Sequence, residues 1–414
     1  MEKTGGIIMK NAKNDTVKNI LWLNGLSAVL LMVMLLFVPP VTAVHAEEES
    51  QWTYSEGSRL WFYTDQNGWK YAMSSKDADS YELWSIPEET TGEIVISTEA
   101  DIDGKVRKLS GLTEGVFEIP TGVTKVTFEK GIRYLDGALF WSGHQNLTVC
   151  GYLENSKLSV IEYARKRHRK MEYLNGCVDE NGVIYYIKEL KNEDGTTGDK
   201  TGAVYAYEGA ANEVTVKPEV TIQGTTYPVT HIDNGAFTSV YVKKVTLPDT
   251  VTTLEWDAFY KSQRLNSVKL SKNLTEIGPA AFMECLNLTD IEIPSGVKKI
   301  SNNTFYHCRS LKQITLPKNI KSIGNQAFQN CILLKNVTIQ SKEIDSIGEM
   351  AFAGDTKLKN ITIKAENLTS KKLSKNIWKD TAKKMVVKVP AKKVNTYKKL
   401  LKKYGNSTIV VKKL

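Results

Sequence analysis

Histidine is scarce in this chain: there are five in 414 residues. His45, His144, His168, His231 and His307 are scattered, and none stands at a spacing that chelates zinc. No glycine-rich phosphate loop and no serine elbow is present. Hydrolytic, phosphoryl-transfer and metal-assisted chemistry thus lack their usual anchors, and neither catalytic residues nor a metal or cofactor are expected. Cysteine is equally sparse, with five residues and no disulfide framework. Cys285, Cys308 and Cys331 are 23 residues apart, so they share one repeat position and belong to packing. His307 beside Cys308 suggests a thiol nucleophile. Cys285 and Cys331 hold the same position without a histidine, however, which points to buried structural thiols. Cys150 and Cys177 lie outside that register and could form one disulfide, although spacing alone does not fix their distance.

Long apolar runs are missing but for one. Met1 to Asn24 carries Lys3, Lys10, Lys13 and Lys18, Leu26 to Val38 is apolar apart from Ser27, and Val44-His45-Ala46 precedes Glu47. Basic, apolar and small-residue segments in that order describe an export signal, expected to be cut after Ala46. The alternative is an uncleaved anchor, since Ile20 to Val38 could nearly span a bilayer. Either way the remainder is expected outside the cytoplasm, touching a membrane only through this segment.

Acidic residues nearly vanish at the far end. From Lys357 to Leu414 there are 18 lysines against Glu366 and Asp380, within a chain of net charge +9. Arginine is absent there too, which argues against nucleic acid, because base reading leans on bidentate arginine. Lys392, Lys393, Lys398, Lys399, Lys402 and Lys403 are the candidate contacts for another polyanion, such as an anionic cell-wall polymer or an acidic glycan. A solvated face that keeps the protein soluble explains the same lysines.

What is present is a repeat. Phe237, Phe259, Phe282, Phe305, Phe328 and Phe352 are spaced 22, 23, 23, 23 and 24 residues apart. The triplets around Thr246, Lys269, Glu292, Thr315, Thr338 and Thr362 alternate apolar and polar residues with period two, the mark of a strand. Stacked coil on coil they would form a parallel sheet, ended by Pro248, Pro294 and Pro317, which cannot donate to a central ladder. The phenylalanines, with Cys285, Cys308 and Cys331, are the expected repeat core. The fold class is therefore a β-rich solenoid.

Phe117 and Phe140 are also 23 apart, so a degenerate first module is expected at 59–155. A basic helical connector follows at 156–182, a β cap at 183–231, repeats at 232–364, and a lysine-rich cap at 365–414 with a helix over Lys392 to Tyr404 between strands at Met385 to Pro390 and Thr408 to Lys412. The signal occupies 1–46. Ile94-Val95-Ile96 and Val214-Thr215-Val216 lie in parallel lead-ins of antiparallel strands and glycine turns. Such caps would cover the open ends of a solenoid.

The phrase Ile277-Gly278, Ala281-Phe282, Cys285, Leu288, Ile291, Ile293 and Pro294, repeated at Ile323-Gly324, Ala327-Phe328 and Cys331, resembles the BspA-like leucine-rich repeat, also called the treponemal type. Thr225 to Ile232 looks like the lead-in such proteins carry. Good matches run over 220–364 and weaker ones over 92–150. The resemblance implies an extracellular or cell-surface protein, mostly of bacteria that live with animal hosts, some members binding host matrix or plasma proteins or other microbes. Departures are Thr304 where alanine is usual, Trp256 in place of the isoleucine-glycine step, and a first module without repeat cysteines. No sorting motif with an apolar anchor precedes Leu414, so surface attachment is expected through the basic tail, the uncleaved signal or a partner.

Binding is the class of function that remains. The outward row Thr246, Lys269, Glu292, Thr315, Thr338 and Thr362, flanked by Asp290, Gln313 and Asn336, is the candidate face for a host or microbial surface macromolecule. Threonine is also simply a good exposed strand former. A cell-wall module held by the lysine tail and a structural surface-layer component are the rival readings.

Overall fold

In the computed structural model the apolar–polar triplets turn their flanking residues inward and their middle one outward. Val337 and Ile339 are 1% and 0% exposed, while Thr338 between them faces out. The structure describes residues 51–112, 118–132, 147–154, 160–166, 169–192 and 194–414. The expected export signal at 1–46 and the Phe117–Phe140 pair lie outside the described residues. The chain divides into two compact units, Met1–Leu174 and Asn175–Leu414.

The second unit is a parallel β-solenoid. Glu213–Thr215, Lys244–Thr246 and Ser267–Lys269 form a three-stranded parallel ladder. An isolated bridge carries it from Ser267 to Asp290. Gln313–Leu316, Asn336–Ile339, Asn360–Ile363, Val386–Val389 and Val410–Lys413 then form a five-stranded one. The ladder thus runs past residue 364 to the end of the chain, through strands separated by the helix Val394–Leu401.

Each coil carries a second, shorter parallel ladder that the residue pattern did not reveal as strands. Thr253–Leu254 pairs with Glu276–Ile277, and Lys299–Ile300 with Ser322–Ile323 and then Ser346–Ile347. This register corrects one expectation about the repeat. Leu254 pairs with Ile277, so the isoleucine position is kept and Glu255 stands where Gly278 does. Trp256 lies one residue beyond and is 61% exposed. The substituted alanine at Thr304 is tolerated because its hydroxyl, fully buried, donates to the Ser301 carbonyl at 2.9 Å.

Between the short ladder and the long one the chain turns around the stacked aromatic. Successive rings from Phe237 to Phe352 lie 5.0–5.4 Å apart with planes within 11°. Strand spacing of roughly 4.8 Å sets this distance, because the rings ride on coils that rise by one strand at a time. Two aromatics outside the six-phenylalanine series extend the stack: Tyr207 before Phe237, at 5.6 Å, and Trp378 after Phe352, at 5.2 Å. Backbone bonds join the turns as well, with Phe259 N–H donating to the Ala281 carbonyl and Phe305 N–H to Ala327, both at 2.8 Å. Fully burying one phenylalanine contributes about 1.5–3 kcal/mol, so the stack outweighs any surface interaction.

The lead-in to the solenoid is the antiparallel set Gly176–Val178, Val183–Lys191 and Thr197–Tyr207, joined in parallel to Thr225–Ile232. The first unit repeats this plan. Trp52–Ser55, Leu60–Thr64, Lys70–Met73 and Ser80–Ser85 are antiparallel neighbours, Ser80–Ser85 pairs in parallel with Lys105–Leu112, and a parallel sheet runs from Gly92–Ile96 through Val123–Phe128 and Thr148–Gly151 to Lys170–Tyr173. The basic segment contains a helix at Val160–Lys166, but the connector expected to be helical over 156–182 is not so throughout, since Lys170–Tyr173 and Gly176–Val178 pair as strands.

One turn device occurs in both units. Asp65 Oδ1 accepts from the backbone N–H groups of Asn67 and Trp69, and Oδ2 from the Tyr71 hydroxyl. Asp179 does the same for Asn181, Val183 and Tyr185. In each case the carboxylate closes an Asx-type turn whose glycine, Gly68 or Gly182, has φ near +80°.

Candidate functional site

The period-two pattern places one residue of each triplet on the outer surface of the long ladder, and parallel register aligns these residues into rows. Thr246 lies beside Lys269. Farther on, Thr315, Thr338, Thr362, Lys388 and Lys412 form one row, and Gln313, Asn336, Asn360, Val386 and Val410 form the next. The Asn360 side-chain amide donates to the Asn336 side-chain carbonyl at 3.0 Å, beginning an amide ladder along the row. Asp290 and Glu292 are exposed but sit where the regular ladder is interrupted. The structure thus brings Gln313, Thr315, Asn336, Thr338 and Thr362 together, with Thr246 and Lys269 in the earlier ladder. Asn360, Lys388 and Lys412 belong to the same rows and were not singled out for the face, although the strands that carry the two lysines were expected.

The tail lysines are placed differently. Tyr397 and Leu401 are buried on the inner side of the helix Val394–Leu401, and the Tyr397 hydroxyl donates to the Ala365 carbonyl at 3.1 Å. Lys398 and Lys399 are exposed on that helix, Lys402 and Lys403 are exposed just beyond it, and Lys392 and Lys393 lie in the 3-10 turn before it. Lys392 is bound to Glu366 at 2.7 Å. None of them lies on the long ladder.

The repeat cysteines are wholly buried, as their shared position implied. Cys285, Cys308 and Cys331 each donate from Sγ, at 3.1 Å, to the carbonyl of Phe259, Phe282 and Phe305 respectively, one coil back. Ser262 makes the same bond to Phe237. Burial pushes all three thiols well above their ordinary range, so they are poor nucleophiles. His307 turns away from Cys308, with Nε2 2.8 Å from the Asn330 amide. Cys150 and Cys177 are free thiols. The Cys150 thiol donates to Glu172 at 2.9 Å, and burial pushes its pKa up to about 12.

A polar cluster that the sequence did not single out sits where the lead-in meets the first coil. Asp233, 4% exposed, accepts from the Tyr186 hydroxyl at 2.6 Å and from Lys188, whose ammonium also lies 3.2 Å from Glu255. Burial works against the Lys188 charge, but Asp233 and Glu255 outweigh it and hold the ammonium above its usual range. Nearby, His231 Nδ1 lies 2.7 Å from the Thr230 hydroxyl, and burial, with Lys188 adding to it, lowers the imidazole pKa. Every named group has a partner, which is the arrangement of a structural interlock. Among the described residues, no group of three or more His, Cys, Asp or Glu side chains could hold a metal ion.

Comparison with known proteins bears on this geometry. The family model for the BspA type leucine-rich repeat region matches in six copies, over residues 219–317 and 275–399. Among solved structures, the chain is similar to a leucine-rich repeat protein of T. pallidum, at 26% identity over 42% of this chain and 78% of that one, with a TM-score of 0.37. It is similar to the pneumococcal vaccine antigen PcpA at 14% identity, covering 85% of this chain and 99% of that one, with a TM-score of 0.39. A leucine-rich cell surface protein of Faecalibacterium prausnitzii is 16% identical over 75% of this chain and 96% of its own, with a TM-score of 0.34. No curated protein matches.

Proposed function

We propose that this chain, which belongs to the BspA-type leucine-rich-repeat family, is an extracellular or cell-surface binding scaffold that performs no chemistry and attaches to a host or microbial surface macromolecule. The outer face of the long ladder carries this reading. It is a surface of aligned polar side chains, held in register by backbone bonds between coils and by a rigid aromatic core beneath. Rigidity matters because a surface ordered before contact loses little conformational entropy on binding. The stacked coils supply the extended surface that repeat proteins use for partners.

A second reading rests on the exposed Lys398, Lys399, Lys402 and Lys403: retention on an anionic cell-wall polymer through the C-terminal region. Nucleic acid is the poorer polyanion for this tail, because arginine is missing from it.

Immobilised protein from Glu47 to Leu414 should be exposed to host matrix proteins and purified wall polymers at low and physiological salt. The scaffold reading expects a macromolecule retained at physiological salt and released by substitutions at Asn336, Thr338 and Thr362. Retention of wall polymer alone, lost on substituting the helix lysines, would favour the second reading. No retained macromolecule of either kind would count against both.

A further inference from the structure

The outer face of the long ladder changes electrostatic character along its length. Its early strands mix signs: Lys244 pairs with Glu213 at 3.3 Å, and Lys269, Asp290 and Glu292 are exposed nearby. From Gln313 onward no outward position of a strand holds an acid, and lysines border or occupy the face. Lys312, Lys335 and Lys359 stand exposed just before consecutive strands. Backbone bonds hold them in a column, with Lys335 N–H donating to the Lys312 carbonyl at 2.8 Å and Lys359 N–H to Lys335 at 3.1 Å. The threonine row then passes into Lys388 and Lys412, neighbours in register.

Among the described residues none of these lysines makes an ion pair, and three acids of the same coils pair with other lysines. Glu343 binds Lys321 at 2.9 Å, Asp345 lies 3.7 Å from Lys372, and Glu366 holds Lys392 at 2.7 Å. Like charges held one strand apart, roughly 4.8 Å, repel each other. An extended polyanion would relieve that repulsion and release the counterions the column gathers.

We propose that this half of the sheet binds a linear acidic polysaccharide laid across the strands. Lys312, Lys335, Lys359, Lys388 and Lys412 meet its anionic groups, and the threonine and asparagine rows between them meet its hydroxyls. Lysine suits this as a point charge on a flexible stem that follows an irregular polymer without demanding one bidentate geometry. The side-chain hydroxyls and amides supply both donors and acceptors, which a polyol can use and a bare phosphate chain cannot. The inference rests on the scaffold reading above and names the ligand class for its face.

The test uses the chain from Glu47 to Leu414 with two variants that remove equal charge: K312Q/K335Q/K359Q/K388Q on the sheet and K398Q/K399Q/K402Q/K403Q on the helix. Probes are polygalacturonate, chondroitin sulfate and inorganic polyphosphate, titrated at low and physiological salt, with melting curves to verify folding. The sheet variant should bind both polysaccharides roughly tenfold or more weaker, with a shallower salt dependence, while the helix variant stays within about threefold. Equal losses in the two variants would overturn the proposal, as would polyphosphate binding as tightly as the polysaccharides, or no polysaccharide binding. If no polysaccharide binds yet a host protein is retained equally by wild type and sheet variant, this inference fails while the scaffold reading stands.

Discussion

The backbone N–H of Cys331 donates to Oδ1 of Asp355 at 2.8 Å, and Oδ2 of that wholly buried carboxyl has no partner. Asp355 follows Ser262, Cys285, Cys308 and Cys331 at the repeat position whose side chain donates to the phenylalanine carbonyl one coil back. A carboxylate cannot donate, whereas a neutral carboxylic acid can.

Burial pushes the Asp355 carboxyl well above its usual range, with the Cys331 N–H pulling weakly the other way. A folded-state pKa above the unfolded value of about 3.9 means the group favours folding fully only below that value. Its contribution is lost as pH rises through the folded pKa. Asp355→Cys, which restores the donor of neighbouring coils, should therefore raise stability at pH 8 by about 1–3 kcal/mol and much less at pH 4. Denaturant unfolding at the two pH values checks this, and an equal gain at both would show that protonation is not the cause.

At Gly324 adjacent coils pass backbone to backbone with no room for a side chain. A Cβ there would stand 2.6 Å from the Asn302 nitrogen and 2.7 Å from the Ser301 carbonyl carbon, and backbone cannot step aside as a flexible side chain can. Gly324→Ala should cost about 1–3 kcal/mol by overpacking. An unchanged melting temperature would mean that the coils separate more easily than their hydrogen bonds suggest.

Removing one partner from the Lys188–Asp233 pair should cost more than removing both. In Lys188→Met the Asp233 charge keeps only the Tyr186 hydroxyl among its charged-cluster partners, so a loss of about 3–5 kcal/mol is expected. Adding Asp233→Asn should recover most of it, because no uncompensated charge then stays buried. A double-mutant cycle with no coupling would show that the pair is solvated rather than locked.

Much of the candidate face was legible because it follows from alternation: a buried valine or isoleucine on each side forces the residue between them outward. Thr315, Thr338 and Thr362 were placed on that ground alone. Lys388 and Lys412 stood in segments legible as cap strands, but the helix inserted between them hid that those strands continue the face, since a period broken by an insertion no longer looks like a period. The Lys188–Asp233–Glu255 cluster had no local signal, its members coming from segments that meet only in the fold.

The amino-acid sequence by itself determined the aromatic stack from Phe237 to Phe352, the strand triplets and the buried cysteine position. Those are statements about which side chains leave water, and a repeat states them many times over. Tertiary structure alone decided the backbone on either side of each aromatic. Asp257, Lys261, Ala280, Glu284, Gln326 and Met350 all have φ between +53° and +59°, where glycine is the usual occupant. A left-handed conformation costs such residues roughly 1–2 kcal/mol each, so their identities gave no hint of it. Hydrogen bonds and ring contacts to the next coil offset that cost, and they exist only once the coils are stacked. Asn376 and Asp380 bend the same way around Trp378, which lets an indole close the stack begun by phenylalanines.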